Sequence, residues 1–291
     1  MNPLSTARLY HAVAWYSVVV SRWVHVKGVR IHFLESGNAR EDSPVLLMVH
    51  GWAGSAEDWE RLLRVLPSHL RSIAVDLPGC GRSDKPDAAY DIPFFLDNLR
   101  SFCAELGLSR VVLTGHSMGG QIAVHFTLRY PDMVEKLILI DPYGLKGEEG
   151  GLQPLSHLGP VVNLAFLLNT PLFIEWAMRA NVFHDPSPEL LRSAVESTAA
   201  NILGREGARS MSRITKRVIG RGHVDALLPG VSRETLLIWG EHDRLLSPDW
   251  AQAFASRLRR ASVHRIAGAG HMPMLETPEA VAGLITDFVD C

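Results

Sequence analysis

Short apolar runs alternate with longer amphipathic stretches along most of this chain, and this alternation constrains the fold more than any other feature of the sequence. Several runs have the length and continuous apolar character of strands buried on both faces, namely Val45–Val49, Val111–Thr114, Leu137–Ile140 and Thr235–Trp239. Amphipathic stretches long enough for helices separate such runs, which is typical of crossover connections between parallel strands. We therefore predict an α/β fold with a mostly parallel sheet and helices on both faces.

The strand pattern is interrupted between residues 144 and 223, where we find no strand-like run. This absence predicts a helical insertion that lies over the sheet. The predicted organisation is a core formed by residues 1–143 and 224–291, with an inserted helical cap of residues 144–223. The large apolar residues of the cap, including Phe173 and Trp176, are expected to pack on the core or to line an apolar pocket.

Composition and charge argue against several classes of protein. The chain has 291 residues with 29 Lys and Arg against 31 Asp and Glu, a formal net charge of -2, so no positive field favours nucleic acid. The cysteines Cys80, Cys103 and Cys291 lack the spacing of metal ligands and cannot all pair with one another. We therefore expect neither a disulfide scaffold nor a structural zinc site.

The N-terminal segment Leu9–Ser21 contains no Asp, Glu, Lys or Arg, but it is shorter than the roughly 20 residues that span a bilayer. One helical face of this segment is apolar and carries Leu9, Val13, Tyr16 and Val20. We expect an amphipathic helix that docks on the core of a cytoplasmic protein. Contact of this helix with a membrane surface and a role as a signal segment are the alternatives.

A serine, an acid and a histidine each follow a different predicted strand. Ser117 follows Val111–Thr114, Asp243 follows Thr235–Trp239, and His271 lies in the loop after the last predicted strand. In an open parallel sheet the ligand crevice lies beyond the carboxyl ends of the strands. The sequence therefore predicts that these three side chains converge on one edge of the sheet.

Ser117 is the candidate nucleophile because Gly115 to Gly119 match the G-x-S-x-G elbow. In that elbow the serine occupies a sharp strand-to-helix turn, and the glycines avoid collisions on either side. Here the motif follows an apolar run and precedes the predicted helix Met118–Arg129, which makes the match specific. A serine that only caps this helix is the alternative.

A serine hydroxyl needs a base to take its proton, and the base needs an acid that orients it. His271 is the candidate base and Asp243 the candidate acid, while a plain surface or core histidine and a solvated loop carboxylate are the alternatives. Asp141 also ends a strand run and is a second candidate acid, although Pro142 restricts its backbone. His116 is expected to point away from the serine.

The oxyanion that forms on serine attack needs two backbone N–H donors. We expect one donor from Met118, the residue after the nucleophile. The second donor is expected from Trp52, in the turn His50-Gly51-Trp52 that follows the first buried strand run. The Trp52 side chain would then form part of the pocket wall, and a plain core tryptophan is the alternative.

Five motifs together resemble the α/β-hydrolase superfamily. They are His50-Gly51-Trp52, Asp76–Ser83, Gly115–Gly120, Trp239–Asp243 and Gly270-His271. The resemblance implies an eight-stranded, mostly parallel sheet with a cap inserted after strand six and a Ser/Asp/His triad in this chain order. It implies no metal and no organic cofactor. The Gly-His-Ser-Met-Gly-Gly sequence is similar to the elbow of serine carboxylesterases and monoacylglycerol-lipase-like enzymes.

The predicted function is hydrolysis of carboxylic esters with short to medium acyl chains through an acyl-enzyme, with a small-molecule ester as substrate. Alternatives are a thioesterase or acyltransferase, a carbon–carbon bond hydrolase with the same triad, and a ligand receptor that retains a hydrolase pocket. Ser117 stands where epoxide hydrolases and haloalkane dehalogenases place an aspartate. Met272 stands where carbon–carbon bond hydrolases typically have an aromatic residue, which weakens that alternative.

Overall fold

The computed structural model describes residues 17–38, 44–146, 171–202 and 204–291. One eight-stranded sheet is formed by β1 (Val20–Val26), β2 (Val29–Ser36), β3 (Val45–Val49), β4 (Ser72–Val75), β5 (Val111–His116), β6 (Val134–Ile140), β7 (Thr235–Gly240) and β8 (Ala261–Ile266). The strand order is β1-β2-β4-β3-β5-β6-β7-β8. Strand β2 pairs antiparallel with β1 and β4, and the other neighbours are parallel.

Every residue of β3, β5 and β7 is buried. Burial of alternate side chains on both sides means that both faces of the central sheet are covered, which explains why these strands are almost continuously apolar. The edge strand β1 is instead mostly exposed. The predicted α/β fold with a mostly parallel sheet is confirmed.

The described helices are α1 (Glu60–Val65), α2 (Ile92–Glu105), α3 (Met118–Arg129), α4 (Pro171–Ala177), α5 (Pro188–Ile202), α6 (Arg205–Ile214), α7 (Trp250–Ala255), α8 (Pro273–Glu276) and α9 (Pro278–Asp290). A single 3₁₀ turn, Ala56–Trp59, precedes α1 and is capped by the Ser55 side chain. One turn of π-helix, Met178–Val182, continues α4 towards the sheet edge where the site lies.

The register of the central strands brings their carboxyl ends to one level. Val49 of β3 lies beside Gly115 of β5, and Ile140 of β6 pairs with both His116 and Ile238. The residues that leave these strands therefore emerge side by side. This alignment assembles the candidate site from segments that are far apart in the chain.

Between β6 and β7 the described residues form helices α4 to α6 and no strand. The cap boundaries at residues 144 and 223 stay a prediction, because residues 147–170 lie outside the described part of the chain. Of the large cap residues, Ile174 and Met178 are buried, whereas Leu172, Phe173 and Trp176 are 77%, 42% and 62% exposed; a pocket lined by the exposed residues stays a prediction. Helix α4 buries its opposite face, through Ile174, and presents these three outwards.

The predicted N-terminal helix lies mostly outside the described residues, and its docking stays a prediction. Val20, assigned to the apolar face of that helix, begins β1 and pairs with Glu35 of β2, so this part of the prediction is wrong. Ser17 is buried, and its hydroxyl donates to the Leu66 carbonyl oxygen over 3.0 Å. Within the described segments, every helix is too short or too polar to cross a bilayer.

Candidate active site

Ser117 occupies the sharp turn between β5 and α3. Its backbone angles, φ 50° and ψ -117°, lie outside the regions that non-glycine residues ordinarily adopt. Hydrogen bonds hold this strained turn, since Ser117 donates its N–H to Ile140 and accepts at its carbonyl oxygen from Tyr143, each over 3.0 Å. Such strain is typical of residues held for function and is the geometry of a nucleophile elbow.

The glycines on either side of Ser117 allow the elbow to pack directly against neighbouring backbone. A Cβ atom on Gly119 would lie 2.6 Å from the carbonyl oxygen of His50 and nearer still to that of Val49. A Cβ atom on Gly115 would lie 2.5 Å from the carbonyl carbon of Gly119. Side chains at these positions would therefore push α3 away from the ends of β3 and β5.

The turn after β3 lies against the elbow, where the oxyanion donors are expected. A Cβ atom on Gly51 would be only 3.3 Å from the Cβ of Ser117. Met118 is the first residue of α3, and the N–H groups of a first helical turn have no intrahelical acceptor. The Trp52 indole is partly buried and donates to Thr215 Oγ over 2.9 Å, so this side chain joins the turn to the region between β6 and β7.

His271 and Asp243 form the acid–base pair that the sequence predicts. The distance between His271 Nδ1 and Asp243 Oδ2 is 2.7 Å, and both side chains are buried. Backbone N–H groups of Leu245 and Leu246 donate to Asp243 Oδ1 over 2.8 and 2.9 Å, which stabilises the ionised carboxylate. Because an ionised Asp243 can only accept a hydrogen bond, a neutral His271 ring must carry its hydrogen on Nδ1. Nε2 is then the nitrogen that can accept a proton.

His116 has a position that the sequence analysis did not anticipate. Its ring lies 4.8 Å from the His271 ring, and its Nε2 donates to the His271 carbonyl oxygen over 2.8 Å. The expectation that His116 points away from the serine stays a prediction, and the contact ties the residue before Ser117 to the base loop. Burial, together with the nearby His271, holds the pKa of His116 well below its ordinary value, so the ring is neutral.

The second candidate acid, Asp141, is completely buried beside the same pair. Its Oδ1 accepts the Gly240 N–H over 2.9 Å. One oxygen of Asp141, one oxygen of Asp243 and one ring nitrogen of His271 lie within 4.8 Å of one another. Oxygen and imidazole ligands of this kind suit a cation in principle, but the short hydrogen bond to His271 is made by Asp243 and fits a proton relay. Asp243 is thus the acid in contact with the base.

Glu276 is a partly buried acid that no sequence motif indicated. Its carboxylate oxygens accept the N–H groups of His184 and Gly270 over 2.7 and 2.8 Å, which joins the segment after α4 to the loop of His271. The His184 ring also stacks on His242 with 3.7 Å between ring centroids. Burial raises the pKa of the Glu276 carboxyl. A glutamate five residues after the base gives no motif that would have revealed this contact.

Asp76, the residue directly after β4, stabilises the backbone around the site through hydrogen bonds. Its carboxylate accepts the N–H groups of Ala56 and Arg82 over 2.6 and 2.8 Å and contacts His32 Nδ1 over 2.7 Å. Ser83 Oγ donates to the Asp76 carbonyl oxygen over 2.8 Å. These bonds explain why an acid begins this turn: it organises the backbone that follows β4 and the 3₁₀ turn before α1.

An elbow serine, an Asp–His pair and adjoining backbone N–H groups on one edge of a mostly parallel sheet define a hydrolase of α/β fold. Sequence comparison gives the same answer. A sequence model of the alpha/beta hydrolase family matches residues 46–284, and the chain belongs to that family.

Relatives of this chain include hydrolases that act on different substrates. The solved structure of a membrane phospholipase A, described as a novel bacterial virulence factor, is 31% identical, with 94% of this chain and 86% of that chain covered and a TM-score of 0.80. The 2-(acetamidomethylene)succinate hydrolase of Mesorhizobium japonicum is 29% identical over 278 residues, covering 93% of this chain and 95% of the relative. Epoxide hydrolase 3 of Xenopus tropicalis is 28% identical over 287 residues, covering 90% of this chain and 75% of the relative.

Proposed function

We propose that the protein is a serine hydrolase that cleaves carboxylic esters with short to medium acyl chains through an acyl-enzyme. The observation that carries this proposal is the 2.7 Å contact between His271 and Asp243 on the same sheet edge as the strained Ser117. An oriented imidazole beside a serine in an elbow is the arrangement that makes a hydroxyl nucleophilic. In this proposal the chain is similar to the serine carboxylesterases and monoacylglycerol-lipase-like enzymes.

The first half of the reaction forms the acyl-enzyme. Ser117 Oγ attacks the ester carbonyl carbon while His271 Nε2 accepts the hydroxyl proton. Asp243 stays ionised and stabilises the imidazolium that results. The N–H groups of Met118 and Trp52 stabilise the oxyanion. His271 then returns the proton to the departing alkoxide, the carbon–oxygen bond of the alcohol breaks, and the acyl group remains on Ser117.

The second half of the reaction restores the enzyme. A water molecule takes the place of the alcohol, and His271 accepts its proton as the water attacks the acyl carbonyl carbon. Collapse of the tetrahedral intermediate returns this proton to Ser117 Oγ and releases the carboxylic acid. The same groups thus act twice, and the net reaction consumes one ester and one water molecule.

Two observations support an ester substrate. The nucleophile position holds the hydroxyl of Ser117 and not a carboxylate, which fits acyl transfer. The relative at 31% identity is called a phospholipase A, a name that denotes an ester substrate.

The Trp52 ring, fixed by Thr215, supplies an apolar wall beside the proposed oxyanion donors and favours uncharged acyl groups.

A panel of p-nitrophenyl esters from acetyl to dodecanoyl, with matched thioesters, tests the proposal. Each methylene buried contributes up to about 0.8 kcal/mol, so kcat/KM should rise from acetyl to hexanoyl. Ser117→Ala should lower kcat about 10⁴-fold to 10⁶-fold, while the exposed Ser262→Ala is the matched control and should retain activity. Activity of Ser117→Ala within tenfold of the parent would refute the serine mechanism. Preference for thioesters, or a steady fall from acetyl onward, would refute the proposed substrate class.

A further inference from the structure

The Asp141 carboxyl has an environment that the proposed mechanism does not explain. It is 0% exposed at the end of β6, and its backbone has a positive φ of 43°. Oδ1 of Asp141 accepts a hydrogen bond from the Gly240 N–H. Among the described residues, no N–H or O–H group donates to Oδ2. A buried carboxylate oxygen without a donor is costly, and each such atom in a native structure calls for an explanation.

A second buried acid, Asp243, lies close to the Asp141 carboxyl. One carboxylate oxygen of Asp141 and one of Asp243 lie within 4.8 Å of each other and of a ring nitrogen of His271, and both acids are buried. Two ionised carboxylates this close in a buried site repel each other, and a proton on one of them removes the repulsion and turns that acid into a donor. The pair therefore carries one proton, and the two acids are not equivalent.

The hydrogen bonds around the pair show which acid holds the proton. Asp243 accepts from the Leu245 and Leu246 N–H groups and from His271 Nδ1, and all three donors stabilise its ionised form. Asp141 accepts from the Gly240 N–H alone among the described donors. The proton thus belongs on Asp141 Oδ2, where it also satisfies the oxygen that otherwise lacks a donor.

The charges near Asp141 act in the same direction. Asp243 and Glu276 are acids whose negative charges oppose ionisation of Asp141, while His271 is engaged with Asp243 and His116 is neutral. Burial and then the Asp243 charge raise the pKa of Asp141 well above its ordinary value.

We propose that Asp141 is a positioning residue whose protonated carboxyl donates a hydrogen bond to Asp243 and thereby holds the Asp243 carboxylate against His271. The role rests on the proposed function. It also sets the basicity of the site, because a neutral donor withdraws charge from Asp243 and weakens the stabilisation of the imidazolium. Removal of this donor should move the ascending limb of the kcat/KM profile to higher pH.

Three variants test the proposal through pH profiles on one ester. Asp141→Leu removes the donor and should lower kcat/KM about tenfold or more while moving the midpoint of the ascending limb up by about 0.5 pH units. Asp141→Asn should recover most of this loss, since its amide donates to Asp243, its oxygen accepts the Gly240 N–H, and asparagine tolerates a positive φ. The exposed Asp132→Asn controls for the loss of a carboxyl group.

The outcomes separate this proposal from the proposed function. If Asp243→Asn and Ser117→Ala retain activity, the proposed function fails. If those two variants lose activity and Asp141→Asn is as damaging as Asp243→Asn, Asp141 acts as an ionised acid and the positioning role is overturned. Activity and pH profile of Asp141→Leu equal to the parent would overturn it as well.

A spectroscopic measurement keeps the proposal testable if Asp141→Leu fails to fold. Infrared difference spectra between the parent and Asp141→Asn at pH 8 should show the carbonyl band of one protonated carboxylic acid that the variant lacks. Absence of that band from the parent would show that Asp141 is ionised, and the proposal would be wrong.

Discussion

The close approach of α3 to β3 yields a prediction about Gly119. A methyl group there meets the His50 carbonyl oxygen at 2.6 Å and that of Val49 at a shorter distance. Raising the first contact to 3.0 Å, below which real Cβ contacts essentially never occur, requires a movement of at least 0.4 Å, and the obstacles are backbone atoms. Since Met118 lies in the same turn, this movement also displaces a proposed oxyanion donor.

The magnitude follows from the cost of overpacking a rigid interior. Gly119→Ala should reduce the free energy of unfolding by about 1–3 kcal/mol, which corresponds to a fall in Tm of about 2–12 °C for a chain of this size. A displacement approaching 1 Å at a catalytic group can cost about 100-fold in rate. We therefore expect kcat on the preferred ester to fall about tenfold or more, with a smaller change in KM.

Gly283→Ala is the matched control because it makes the same chemical change in a helix with free space. Gly283 is exposed in α9, and a Cβ atom there meets nothing within 4 Å. This variant should gain about 0.5–1 kcal/mol of stability from helix propensity and keep the parental kcat. Urea unfolding and steady-state kinetics on both variants provide the measurements. A Gly119→Ala protein as stable and as active as Gly283→Ala would refute the packing argument.

Two further predictions concern pH. Because an imidazole must be unprotonated to act as a base, kcat/KM should rise with pH through a single step near neutrality; a flat profile between pH 5 and 9 in folded protein would contradict His271 as the base. Burial raises the pKa of Asp58 from 3.8 to about 7, so the folded state binds more protons than the unfolded state in that interval, and the stability contributed by Asp58 is lost as pH rises from about 4 to about 7. Urea unfolding at several pH values should show this loss in the parent and not in Asp58→Asn, and identical pH dependence in both proteins would show that Asp58 does not cause it.

The central sheet and the elbow could be predicted because their signals are local. Continuous apolar runs such as Val111–Thr114 require cover on both faces, and glycines around Ser117 have a steric reason that the structure shows at Gly115 and Gly119. The pairing of Asp243 with His271 was also predictable, since both residues leave neighbouring strands at the same edge.

Contacts that depend on side-chain direction and on long sequence separation could not be predicted. The His116 contact with the His271 carbonyl oxygen joins residues 155 positions apart. It depends on which way the His116 side chain points from the end of β5, and strand periodicity does not determine this at a strained turn. The protonation of Asp141 depends on donors from other strands, so no local pattern reveals it.

The exposed residues of α4 show that apolar composition does not predict which side chains of a helix are buried. Apolar composition predicts burial on average, but Leu172, Phe173 and Trp176 are exposed while Ile174 and Met178 are buried. The helix has one face against the protein, and composition alone does not say which apolar residues share it. The expectation that the large cap residues pack on the core or line a pocket could therefore not be divided between individual residues.

The measurement that most directly tests the proposed function is identification of the residue that reacts with a fluorophosphonate. Intact-mass and peptide mass spectrometry should show one adduct per chain, on the peptide that contains Ser117. Labelling should disappear in Ser117→Ala, fall strongly in His271→Ala, and persist in the control Ser262→Ala. An adduct on another residue, or unchanged labelling of Ser117→Ala, would contradict the assignment of Ser117 as the nucleophile activated by the Asp243–His271 pair.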